Sequence, residues 1–160
     1  MPLMAMTPFV IALTATFFAA VIAGWLRGGH PERLAAAVLL LTRPVIVNPL
    51  VSWRIGDVYL DSTIEDVLWT LFFGWLAFRS DRWWPFAATA AMALVVLVHI
   101  LTMVTDISWA AAVSARVGLG MLAYLAVLAG VAERWMAGEA PVSRIERDGP
   151  PWRRRVGVAP

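Results

Sequence analysis

The chain has 160 residues, of which 61% are hydrophobic and 15% charged. A water-soluble domain carries about 45–50% apolar and about 25% charged residues, so this balance points to a lipid solvent and one compact unit. There is no cysteine, which excludes disulfides, thiolate metal sites, iron–sulfur clusters and covalently attached c-type haem. The formal net charge of +2 rests on arginine alone and carries no nucleic-acid signature.

In hydrocarbon every backbone group must be satisfied within its own segment, so long apolar runs are predicted to be helices. The first is residues 7–25, uncharged, with Trp25 at an interface and Ala15, Ala19 and Ala23 spaced as a small-residue stripe. Arg27 and Arg33 follow it and no basic residue precedes it, which favours an uncleaved anchor over a signal peptide. A tight basic loop, Gly28 to Arg33, leads to the second segment, residues 34–53. Arg43-Pro44 and Asn48-Pro49 predict that this helix is kinked or broken near its middle.

The third segment, residues 63–78, is entered through Asp57, Asp61, Glu65 and Asp66 and left through Arg79 and Arg82. Ser62-x-x-Glu65 matches a capping box, which would start the helix at Thr63. The fourth segment is residues 84–105, opened by Pro85 with Ser80 or Asp81 as candidate cap. The fifth is residues 108–132. Only a few residues around Asp106 separate the last two, so they form an antiparallel hairpin. Arginine follows the first and third segments and fills the carboxyl-terminal region, whereas the intervening loops are acidic. The positive-inside rule then gives five spans with the amino terminus outside and the carboxyl terminus inside. The tail, residues 135–160, is rich in Pro, Gly, Arg and acid and buries no core of its own. Trp152 with Arg153, Arg154 and Arg155 suits anionic headgroups.

Arg43 and Arg116 lie too far from a helix end to reach water easily, so each needs a carboxylate or backbone carbonyls. Glu65 and Asp66 are at the right depth for Arg116, and Asp66 or the carbonyls freed by Pro44 for Arg43. A structural ion pair is the plain reading, and an anion-binding cavity or ion pathway the sharper one. His99, in the fourth segment, is expected to hydrogen-bond between helices. Proton handling and axial ligation of a tetrapyrrole are its alternatives. Most tryptophans flank the segments as an aromatic belt, whereas Trp69 and Trp75 lie deeper.

Two loop signatures, Gly28-Gly29-His30-Pro31-Glu32-Arg33-Leu34-Ala35-Ala36 and Ala77-Phe78-Arg79-Ser80-Asp81-Arg82-Trp83-Trp84-Pro85, with His99 beyond them, resemble uncharacterised small polytopic membrane proteins of alphaproteobacteria. The resemblance covers most of the apolar segments but not the tail, and Arg43, Pro44 and Pro49 depart from it. It implies a bacterial inner (plasma) membrane home and assigns no activity.

The expected fold is an all-α transmembrane bundle over residues 1–134, followed by a cytoplasmic tail. No catalytic constellation is visible. The leading expectation is therefore a non-enzymatic accessory or scaffold subunit packing in a larger membrane complex or with itself. A small proton-coupled or anion transporter, and a pigment- or haem-binding subunit through His99, are the alternatives. Beyond that tetrapyrrole no cofactor or metal is expected, and the expected partners are the bilayer and other membrane subunits, not nucleic acid.

Overall fold

The computed structural model describes residues 8–47, 54–55 and 58–140, with side chains described for 11–42 and 62–140. Among the described residues, five helices make up the fold: α1 Pro8–Arg27, α2 His30–Val47, α3 Leu60–Arg79, α4 Trp84–Val104 and α5 Trp109–Met136. A two-rung antiparallel ladder, β1 Arg54–Ile55 with β2 Val58–Tyr59, precedes α3. It was not anticipated from the sequence, because a ladder this short has no periodicity to read.

Among the described residues, α4 and α5 are long and apolar enough to cross a membrane, and Ile11–Arg27 is a shorter apolar stretch. The outer surfaces of the helices are greasy throughout: Ile11, Phe18, Ile22, Leu40, Leu41, Leu71, Phe78, Leu94 and Ile100 are all exposed.

Helix α1 packs on α2 and α5, α5 on α4, and α4 on α3. Small residues set these approaches. Small side chains let helix backbones come close enough for extensive van der Waals contact. A methyl on Gly24 would lie 3.0 Å from the Glu32 carbonyl oxygen and 3.3 Å from the Ala36 Cβ, which brings α1 and α2 together at their turn. The core is aromatic and aliphatic, built on Phe17, Ala20, Leu39, Trp69, Phe73, Trp84, Val95 and Val127. Trp69 stacks on Phe73 with centroids 5.5 Å apart.

The sequence boundaries need correction at several points. Helix α2 begins at His30, not Leu34, and continues through Pro44 to Val47, so it is not broken there. Pro44 falls three residues before the end of the helix, where a missing amide removes one hydrogen bond without splitting a long helix. Helix α3 begins at Leu60, which places Ser62 and Glu65 inside the helix and removes Ser62 as its cap. Neither Ser80 nor Asp81 caps α4. Trp83 occupies the cap position with no side-chain bond, and Pro85 follows in the first turn, where its missing amide costs nothing. Ser108 caps α5, its side chain accepting from the Ala111 amide at 3.3 Å. Helix α5 runs on to Met136, so Trp135 belongs to the bundle rather than to the tail.

Asn48, Pro49, Trp53, Asp57 and residues 141–160 of the tail, with Trp152, Arg153, Arg154 and Arg155, lie outside the described residues, as do the side chains of Arg43 and Asp61.

Candidate functional site

At one end of the bundle, a single carboxylate ties three helices together. Asp66 sits two turns into α3, His99 near the end of α4 and Arg116 two turns into α5. The Asp66 Oδ2 lies 2.7 Å from His99 Nε2 and 3.6 Å from Arg116 Nη2. His99 is 3% exposed, and its Nδ1 lies 3.1 Å from Thr63 Oγ1. An ionised carboxylate only accepts, so in the neutral ring Nε2 carries the proton and Nδ1 accepts from the threonine hydroxyl. Thr63 and Asp66 are three apart on α3, which puts both on the face turned to α4.

Glu65 is turned a little further around α3, and Trp69 donates its indole N–H to Glu65 Oε1 at 3.4 Å. The Arg116 Nε is buried with no hydrogen-bond partner among the described residues.

Asp66, Arg116 and Glu65 form the polar wall of a cavity of about 310 Å³ to which the five described helices contribute, with His99 behind Asp66 rather than on the wall. Its apolar walls come from Phe17, Leu39, Trp69, Phe73, Met92 and Tyr124. Largely apolar walls with a few convergent polar groups are the usual make-up of a small-molecule site, and this volume is at its lower end. Both His99 ring nitrogens are occupied within the chain, so an axial bond to a tetrapyrrole metal would need one of them released. Among the described residues no cluster of three His, Asp or Glu side chains is placed to hold a metal ion.

At the other end stands a group that sequence reasoning missed. Glu32 is completely buried, and each of its carboxylate oxygens accepts one N–H. Oε2 takes the Gly29 amide at 2.7 Å, and Oε1 takes the Trp84 indole N–H at 2.8 Å. Gly29 stands at the N-cap of α2 and Glu32 at its third position, which is half of a capping box with glycine in the serine's place. That spacing was legible, but a glycine cap has no side chain to draw attention to it. Trp84, read as part of the interfacial belt, is 0% exposed and lies against Gly130 of α5.

Beside it, Arg82 bonds Glu133 at 3.3 Å, and Arg82 and Arg134 both reach the same Oε2 of Glu139, Arg134 at 3.0 Å. The α1–α2 turn, the α3–α4 turn and the carboxyl end of α5 are therefore at one end of the bundle. The hydrogen bond from Arg82 holds the Glu139 carboxyl below the usual carboxylate range, against the effect of burial, and the charge of Arg134 adds to it. The same bond raises Arg82. A carboxyl lowered in the folded chain contributes stability above its unfolded pKa and loses it as pH falls through the folded value, so this contact opens on acidification.

Compared with known protein families, curated proteins and solved structures, the chain matches none of them.

Proposed function

We propose that the chain is a five-span inner-membrane protein, amino terminus outside, that carries an amphiphilic organic molecule in exchange or symport with protons. The observation that carries this reading is Asp66, shared between His99 and Arg116 on the wall of the apolar cavity. A proton taken up by His99 sets two cations against one carboxylate. Asp66 then cannot serve both at full strength, and Arg116 becomes available to the polar end of a ligand whose apolar body lies against Phe17, Trp69, Phe73 and Tyr124. Glu65 belongs to the same region of charge. The five-span topology draws support from helices of 18–28 residues, about 27–42 Å long at 1.5 Å per residue, and from their lipid-compatible outer faces.

The test is proton entry into pyranine-loaded proteoliposomes after an external acid pulse, with benzoate and benzylamine as paired anionic and cationic probes. Benzoate, the anion that a freed Arg116 can pair with, is expected to accelerate proton entry, and benzylamine is not. Asp66→Asn should abolish that acceleration, because an amide offers the imidazolium no countercharge. Entry no faster than in protein-free liposomes with either probe overturns the reading.

A scaffold role is the second reading, and one observation favours it. Ala111, Ser114 and Ala115 are exposed on α5, and a methyl added at Gly118 on the same helix meets nothing within 4 Å. That face can take a neighbouring helix. Native mass spectrometry of detergent-extracted protein should then give a dimer or larger assembly that Gly118→Leu reduces to monomer. A monomer from the unaltered chain removes this reading.

A further inference from the structure

The end of the bundle that holds Glu32 also has a second cavity, of about 640 Å³, lined by His30, Arg79, Ser80, Arg82, Arg134 and Glu139. It is separate from the proposed transport cavity and shares no residue with it. We infer that this inner pocket binds a phosphate group between its arginines, with Glu139 occupying the anion's position until the phosphate displaces it.

Four observations converge on this. First, the fork between Arg82 and Arg134 already holds an oxyanion: both guanidiniums converge on one carboxylate oxygen, Oε2 of Glu139. Second, that carboxylate sits on a side chain that can turn outward while its backbone stays in place, the Glu139 amide being bonded to the Arg134 carbonyl at 3.1 Å. Glu139 directly follows Gly138, whose φ of 68° is a left-handed conformation that glycine adopts without steric cost, just beyond the end of α5. Its side chain is 39% exposed, so leaving the fork returns it to water at little cost.

Third, the pocket has hydrogen-bonding capacity that the carboxylate does not use. The Arg134 Nε and Ser80 Oγ are buried without a hydrogen-bond partner among the described residues. A phosphate has more oxygens than a carboxylate and can engage donors that Glu139 leaves idle. Fourth, Arg79 adds a further guanidinium to the same wall, and His30 stands at the amino end of α2, where the helix dipole favours an anion. With Glu139 swung out, Arg79, Arg82 and Arg134 face Asp81 within the pocket, while Arg82 keeps Glu133 as its partner behind.

Trp25, Trp83 and Trp135 are exposed around this end, the position of tryptophan at a headgroup layer. The phosphate is therefore either that of an anionic lipid of the inner leaflet or a free one. Only the lipid source rests on the five-span topology, and neither depends on the transport reading.

Equilibrium dialysis of the full chain in detergent against radiolabelled inorganic phosphate tests the pocket, with phosphatidic acid micelles as competitor. Glu139→Gln removes the internal competitor and should tighten phosphate binding roughly tenfold, since the competent state no longer has to be vacated first. Arg79→Ala, at an exposed position that leaves the fold intact, should weaken binding by a similar factor. Asp66→Asn should leave it unchanged, whatever it does to transport. Displacement of the label by phosphatidic acid identifies the lipid headgroup as the ligand, and retention of the label identifies free phosphate. If Glu139→Gln binds phosphate no more tightly than the unaltered chain, or Arg79→Ala binds it equally well, the assignment is overturned.

Discussion

Glu32→Ala is expected to destabilise the bundle by roughly 2–6 kcal/mol, because two buried N–H donors each lose their acceptor at about 1–3 kcal/mol apiece. Those donors belong to different parts of the chain. The Gly29 amide opens α2, and the Trp84 indole opens α4. Loss of the carboxylate therefore frees a helix start and an interhelical tie together. Thermal unfolding in detergent, followed by circular dichroism, reads the effect as a fall in Tm. Glu32→Gln separates hydrogen bonding from volume. It fills the same space, but its single carbonyl oxygen satisfies one donor and its NH2 group faces the other. It should fall between Glu32→Ala and the unaltered chain. A Tm unchanged in Glu32→Gln would mean that the two acceptor oxygens are not what holds this end.

The second large effect is a single methyl group at Gly130. A Cβ there would fall within the Trp84 indole, with Cγ and Nε1 both 2.6 Å away. The ring cannot step aside cheaply. Its N–H is fixed on Glu32, and it meets Phe73 edge-on at 6.4 Å on another side. Overpacking of this kind costs about 1–3 kcal/mol and occasionally more. Gly118→Ala makes the same chemical change on the same helix where nothing lies within 4 Å. There the better helix propensity of alanine should raise stability by up to about 1 kcal/mol. Opposite shifts in Tm for these two variants of α5 are the expected result. Equal shifts would remove the close seat of Trp84 on α5.

Both effects bear on the inner pocket, since Arg82 and Trp84 leave the same α3–α4 turn. A variant that loosens Trp84 should also loosen the fork in which Glu139 sits. The phosphate assignment is accordingly tested with substitutions at Glu139 and Arg79, which leave Glu32 and Trp84 in place.

Much of the helical layout could be read from the chain. Apolar runs bounded by Gly28-Gly29, by Arg79 to Arg82 and by Asp106 end close to where α1, α3 and α4 end, because glycine and clustered charge stop helices locally. The starts were harder. Ser62-x-x-Glu65 and Gly29-x-x-Glu32 have the same spacing, and only the second acts at a helix end. The first lies inside α3, which starts earlier at Leu60. A cap is decided by where the backbone leaves the helix, and a four-residue pattern does not carry that.

The site was legible in its ingredients and not in its pairing. Asp66, Arg116 and His99 stand out because charged and imidazole groups in apolar helices need partners. That one Asp66 oxygen faces both of the others follows from α4 lying beside both α3 and α5. Thr63 stood out in no pattern, and its role comes from its position one helical turn before Asp66. Trp84 was misread because a tryptophan beside a charged loop has the same sequence signature whether it faces lipid or the core.

The amino-acid sequence by itself determined an apolar, arginine-terminated set of helices and the residues among them that could not stay unpaired. Local rules suffice for that: composition sets the solvent, and helical spacing sets which residues share a face. Only the tertiary structure decided that Glu32 is capped by Trp84, that Asp66 is shared, and that Glu139 sits in an arginine fork. Each of these contacts joins residues 33 or more positions apart, except that of Glu139 with Arg134. A helix face is fixed by its own spacing, but the neighbour it meets is fixed by how all five helices pack.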